Sequence, residues 1–275
     1  MPLPPRELPP PRIGMALSPA KYPYDHFLNA ELAPFEAKAE GFSRTNAWWL
    51  AEASLLAYWP KADVKARVKK AFGQAQDFSA ENVEGYVALF NGFAIAAFRG
   101  TESTSLADIV MDAEFVKNDW EHGGRVHEGF LRGFNNVNKP EKPENTLRKA
   151  LAEIPPDRPV WFTGHSLGAA LATLAADEFV SSNPPARYGG LYTFGSPLVG
   201  DRAFVDGFNT RHAGKSFRIV NDRDGVPLVP PRFAGYRHVN DEHFVGLGVR
   251  DTLGLEAIID HTPCRYSILC SNAVP

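Results

Sequence analysis

The sequence predicts an α/β fold, with a mainly parallel central sheet flanked by helices, and three observations predict it. Short apolar runs at Val160–Thr163, Leu191–Phe194 and Phe217–Asn221 alternate with helical segments around 145–153, 167–180 and 201–209. Such alternation is the signature of parallel strands joined by crossover helices. Two further runs, Tyr86–Phe90 and Phe93–Phe98, flank Asn91-Gly92, a dipeptide suited to the two positive φ angles of a type I′ turn. They are expected to form a hairpin of antiparallel edge strands. Third, a serine lies in Gly164-His165-Ser166-Leu167-Gly168, between a buried strand and a helix rich in alanine.

Taken in chain order, residues 1–40 are rich in proline and read as an arm, extended over the domain or loose. Residues 41–275 read as a single domain, a length suited to one large core. A helix is expected from Asn46 to about Tyr58, stopped by Pro60. The hairpin follows, and then the strand ending at Thr163. Leu167, Leu171 and Leu174 recur at helical spacing behind Ser166. A strand turning sharply into a helix through a serine is the nucleophile elbow of the α/β-hydrolase fold. Gly164 and Gly168 suit a turn with no room for flanking side chains, and the helix start aims N–H groups at a developing oxyanion.

A serine nucleophile needs a base and an acid to orient it, in the chain order Ser, Asp or Glu, His for this fold. Asp224 follows the strand-like run Phe217-Arg-Ile-Val-Asn-Asp-Arg-Asp and is held by a Gly225 and Pro227 turn. Asp222 is its rival, two residues away and on the opposite face if the strand continues. Of the histidines beyond it, His238 lies in an alternating, strand-like segment and His243 in a charged one. His261 sits between an apolar segment and Pro263, in a loop from which an imidazole can reach an elbow. Asp224 and His261 are the preferred pair.

The ordered motifs Ala97-Phe-Arg-Gly-Thr101, Val126-His-Glu-Gly-Phe130, Thr163-Gly-His-Ser-Leu-Gly168, Thr193-Phe-Gly-Ser-Pro-Leu-Val-Gly-Asp201, Asp224-Gly-Val-Pro227 and Asp260-His261 resemble the class 3 lipases. The resemblance covers residues 45–268, with Ala169 where the family has a second glycine. It implies Ser166 as nucleophile, Asp224 as orienting acid and His261 as base and then acid. It also implies backbone donors of Thr101 and Leu167 as the oxyanion hole. His165 becomes a supporting residue, and His127 and Glu128 packing residues beside the site.

The stretch 102–116 places Leu106, Ile109 and Val110, with Phe115, on one side of a short helix and Asp108 and Asp112 on another. The family carries a mobile lid here, and an ordinary helix packed on the core is the competing reading. The implied activity is hydrolysis of fatty-acyl esters, possible substrates being triacylglycerols at a lipid–water interface. A phospholipase A1 or a feruloyl-type esterase is the alternative, and a silent lipid- or partner-binding module the remote one. No cofactor is implied, and His122, His127 and Asp112 lack the density of a metal site.

A formal charge of −3 argues against nucleic acid, and no apolar run reaches the length of a membrane span. The first twelve residues lack the pattern of a signal peptide. That leaves a cytoplasmic protein, one exported without a leader, or one whose leader has been removed. Cys264 and Cys270 are close enough for a local disulfide, with two free thiols the alternative.

Overall fold

The computed structural model describes residues 2–9, 18–81, 83–101, 115–138, 146–240, 242–246 and 255–275. Helix α1 (Arg44–Leu56) starts where Ser43 supplies a side-chain cap, its hydroxyl accepting from the Asn46 N–H at 3.0 Å. It is buried on nearly all sides, which its run of Ala, Trp and Leu permits. Replacing Ser43 with alanine should cost about 1 kcal/mol of stability, as loss of a helix cap does. Urea unfolding measures it, and an unchanged midpoint would remove the cap from the account.

Pro60 ends this segment and begins α2 (Lys61–Lys70), which buries only Val64 and Val68, one turn apart. Strands β1 (Gln74–Ala80), β2 (Val83–Leu89) and β3 (Ala94–Phe98) then form an antiparallel meander. β4 (Lys117–Asp119) and β5 (Arg125–His127) make a small separate hairpin leading into α3 (Glu128–Asn138) and α4 (Leu147–Ala152). Next come β6 (Val160–His165), α5 (Leu167–Ser182), β7 (Tyr188–Phe194), α6 (Arg202–Arg211) and β8 (Ser216–Asn221). The last elements are β9 (Glu242–Val245), α7 (Leu255–Asp260) and α8 (Pro263–Asn272).

Among the described residues one sheet runs in the order β1-β2-β3-β6-β7-β8-β9, parallel from β3 onward. Period-two alternation splits its side chains between two cores. Ile95, Ala97, Trp161 and Tyr192 face α1 and α8, while Ala94, Ala96, Phe98, Phe162 and Leu191 face the layer of α3 and α5. The sheet is therefore framed by a helix layer on each side.

Three expectations need correction. The hairpin turn is not type I′: positive φ falls on Gly92 alone (98°). β3 is an interior strand, because the edge is taken by β1, whose polar sequence hid it. His238 is not in a strand; its neighbour Arg237 makes only an isolated bridge to Gly200. His243, by contrast, is in β9. Cys264 and Cys270 are both free and buried, and burial pushes the Cys264 thiol up to about 12. Leu106, Ile109 and Val110, the lid candidates, lie outside the described residues, as do Asp108 and Asp112.

Residues of the arm pack on the body. Leu3, Phe27, Ala30 and Ala33 are buried in the same core as Trp48 and Trp49. The Trp49 indole N–H donates to the Ala33 carbonyl at 2.8 Å.

Candidate active site

Ser166 joins β6 to α5 with φ 59° and ψ −129°, a backbone conformation that side chains rarely adopt. Its N–H is tied to the Phe194 carbonyl of the neighbouring strand at 3.0 Å. The two elbow glycines are required by close approach. A Cβ on Gly164 would strike the Gly168 carbonyl, and one on Gly168 would strike the Phe98 carbonyl. The elbow thus sits directly against the end of β3. Gly100 is likewise pressed on the His165 carbonyl, 2.6 Å from where its Cβ would be, which puts Thr101 beside the elbow. Thr101 Oγ is buried and makes no hydrogen bond among the described residues. Leu167 is the first residue of α5, so its N–H belongs to the unpaired donors of a helix start.

Asp224 and His261 meet in a buried pair. His261 Nδ1 lies 2.8 Å from Asp224 Oδ2 and 2.9 Å from Oδ1. A carboxylate only accepts, so the imidazole proton is on Nδ1 and the lone pair on Nε2. Nε2 is buried and makes no hydrogen bond among the described residues. The Asp224 carboxylate takes two more donors, the Tyr266 hydroxyl at 2.6 Å and the Val226 N–H at 2.9 Å. Asp224 is only 3% exposed, and these donors supply what water cannot reach to give. His261 thus pairs with Asp224, while the carboxylate of Asp222 lies against Gly246.

The histidine pair links to the elbow through His165. The His165 ring packs 4.4 Å from that of His261, and its Nε2–H donates to the His261 carbonyl at 2.6 Å. Its Nδ1 accepts from the Tyr58 hydroxyl at 2.9 Å. Burial, and next the charge of a protonated His261, press its pKa well below the usual value, so it stays neutral and works as a strut. His238 is occupied elsewhere: its Nε2–H donates to the Pro227 carbonyl at 2.6 Å, and burial lowers its pKa to about 3. His127 Nδ1 accepts from the Gly129 N–H at 3.1 Å, while its ring packs on Phe130 and Tyr236.

His122 is paired with Glu178 at 2.8 Å, with Glu121 beside it, and not with His127. Tyr58 and Tyr266, two hydroxyls that organise the site, were not singled out by the sequence. Tyr266 lies on α8, an element with no strong periodic signal, and its partner Asp224 is 42 residues away.

With this geometry in place, a family comparison decides the lineage: residues 95–234 match the lipase (class 3) family. The chain belongs to the class 3 lipase family. It is 35% identical over 132 residues to a secreted mono- and diacylglycerol lipase 1 of Fusarium solani, covering 47% of this chain and 37% of that one. A secreted mono- and diacylglycerol lipase A of Penicillium cyclopium is 33% identical over 176 residues, covering 62% and 54%. Its matches thus span about half the length of these curated relatives or less. In three dimensions, lipase II from Rhizopus niveus superposes with a TM-score of 0.59 and 28% identity, over 72% of this chain and 77% of that one. The class 3 lipase assignment and the α/β-hydrolase fold therefore stand together.

Proposed function

We propose that the chain hydrolyses fatty-acyl carboxylic esters, glycerides among them, through an acyl-enzyme on Ser166. The observation that carries the proposal is the strained Ser166 elbow beside a buried Asp224–His261 pair whose Nε2 lone pair is uncommitted. Ser166 Oγ bonds to the ester carbonyl carbon as its proton passes to His261 Nε2. The N–H groups of Thr101 and Leu167 hold the oxyanion, with the Thr101 hydroxyl as a further donor. Collapse breaks the ester C–O bond, and the imidazolium returns its proton to the departing alkoxide. Water then attacks the acyl-serine with His261 again as base, which regenerates the serine and frees the fatty acid.

A lipid surface as the meeting place has support in exposed apolar side chains downstream of Asp224. Leu228 and Phe233 are 56% and 90% exposed. Phe115 and Val116 are also partly exposed, and the Val116 carbonyl accepts from the Tyr236 hydroxyl of the same loop region at 3.1 Å. The two mono- and diacylglycerol lipases named above are described as secreted, and export of this chain is part of the proposal. No helix among the described residues is long and apolar enough to cross a membrane.

One observation favours phospholipid as a second reading. A cleft of about 710 Å³ lies between the arm and the body, lined by Tyr22, Tyr58 and Trp59, by the cations Lys21, Lys61, Arg67 and Arg99 and by the acids Asp63 and Glu84. Tyr58 connects it to His165. Lys61, Arg67 and Arg99 are paired with Asp77, Asp63 and Glu84, whereas Lys21 has no ion pair among the described residues. Lys21 is the charge that suits an anionic head group there.

The experiment is turnover of p-nitrophenyl esters from C2 to C16, of emulsified triacylglycerol and of anionic phospholipid vesicles. Long-chain preference with a rise at the emulsion supports glyceride hydrolysis. Preference for the vesicles, diminished by Lys21→Glu, would replace it with the second reading. Absence of turnover on all three would overturn both.

A further inference from the structure

Glu52 is a carboxylate with no solvent exposure, on α1, far in sequence from Ser166, Asp224 and His261. Its Oε1 receives the Ser267 hydroxyl at 2.6 Å, the Tyr24 hydroxyl at 2.8 Å, Arg6 Nη1 at 3.1 Å and the Trp48 indole at 3.2 Å. Its Oε2 receives the Phe27 N–H at 3.0 Å, and His26 Nδ1 stands 3.6 Å away. Three of these donors come from the arm and one from α8. The arm is fastened to α8 directly as well. Arg6 N–H donates to Asn272 Oδ1 at 2.8 Å, Asn272 Nδ2 donates to the Arg6 carbonyl at 2.9 Å, and the Tyr24 hydroxyl lies 2.9 Å from Ser267 Oγ.

Burial opposes ionisation of Glu52, but His26, Arg6 and Ser267 outweigh it and hold the carboxyl below its ordinary value. Burial lowers His26 in turn, so Arg6 is the formal counter-charge of the cluster at neutral pH. A buried ion with one formal partner is strongly destabilised when a contact is withdrawn. Glu52 therefore joins α1, the arm and α8 in one buried network.

The position of α8 matters because it carries the support of the acid–base pair. Pro263, its first residue, follows His261 by two positions. Tyr266, next to Ser267, donates to Asp224 at 2.6 Å and receives the Asn221 N–H at 2.9 Å. Consecutive helical residues point about 100° apart. Ser267 thus turns to Glu52 while Tyr266 turns to Asp224.

We propose that Glu52 is a positioning residue for the Asp224–His261 pair, acting through Ser267 and Tyr266 of α8, and that the arm works as part of the hydrolase domain because Arg6, Tyr24 and Phe27 complete the seat of Glu52. The inference rests on the functional reading above. It predicts that an alteration at the Glu52–Ser267 contact is felt in turnover and not in substrate binding.

The test is a double-mutant cycle on the full chain with p-nitrophenyl butyrate. Ser267→Ala should lower kcat about tenfold at unchanged KM, the scale on which small misplacements of reacting groups act. Ser267→Thr, which keeps the hydroxyl, should restore it. In a Tyr266→Phe background Ser267→Ala should cause little further loss, because both changes act on the same link. Tyr24→Phe, altering the contact from the arm side, should reproduce the kcat effect and covers the case of a poorly folded Ser267→Ala. Losses that multiply independently, or a lowered melting temperature with kcat intact, would overturn the proposal. Turnover that persists in Ser166→Ala would overturn the functional reading instead, so the two failures are distinct.

Discussion

Replacing Ser166 with alanine is expected to lower ester turnover by ~10⁴-fold or more, the scale seen when a serine hydrolase loses its nucleophile. The fold should survive, because alanine tolerates the elbow backbone no worse than serine. The strain itself gives a second readout. At φ 59° and ψ −129° a β-carbon costs about 1–3 kcal/mol, and glycine escapes that cost. Ser166→Gly should therefore be inactive and more stable than wild type, with a higher urea midpoint. Conserved turnover in Ser166→Ala would remove the serine from the mechanism. An inactive Ser166→Gly with no gain in stability would show that the elbow holds no strain.

The elbow was legible in the sequence because its requirements are local. Two glycines four residues apart, a preceding apolar strand and a following small-residue helix are all dictated by the turn, and each is visible in one stretch of chain. Asp224 and His261 were legible by a weaker route: chain order, an acid at a strand end and a histidine in a late loop. The structure adds what spacing cannot hold. Tyr266 reaches Asp224 only because α8 folds back over the sheet.

Glu52 was invisible for the same reason. In the sequence it is one acid in a helix of Ala, Trp and Leu, and its donors lie 4 to 215 residues away. β1 was missed because Gln74-Ala-Gln-Asp is too polar for the alternation rule, yet it pairs with β2 through seven residues. α3 could have been found. Phe130, Phe134 and Val137 recur at helical spacing and are buried, although Gly129 and Gly133 lower the helix propensity of the segment. The Asn91-Gly92 dipeptide correctly marked the turn and misled about its type, since Asn91 does not take the left-handed conformation here.

The second large effect is expected at Asp224. Asp224→Asn should reduce kcat on the order of 10⁴-fold, with KM little changed. The reason is the tautomer. The carboxylate accepts from His261 Nδ1 and leaves Nε2 with its lone pair. An asparagine amide can turn its NH₂ toward Nδ1, which moves the imidazole proton to Nε2 and abolishes the base. The other two donors hold different oxygens, Tyr266 on Oδ2 and Val226 on Oδ1, so whichever way the amide turns its NH₂ faces one of them and also Nδ1. The Tyr266 hydroxyl at 2.6 Å and the Val226 N–H at 2.9 Å both need an acceptor, and Asn has one oxygen where Asp has two. Asp222→Asn is the matched control, two residues away and directed at Gly246, and should change kcat by no more than a few-fold. Equal losses at the two positions would mean that the strand end as a whole, and not one carboxylate, supports the histidine. Wild-type turnover in Asp224→Asn would leave the buried pair without a catalytic role.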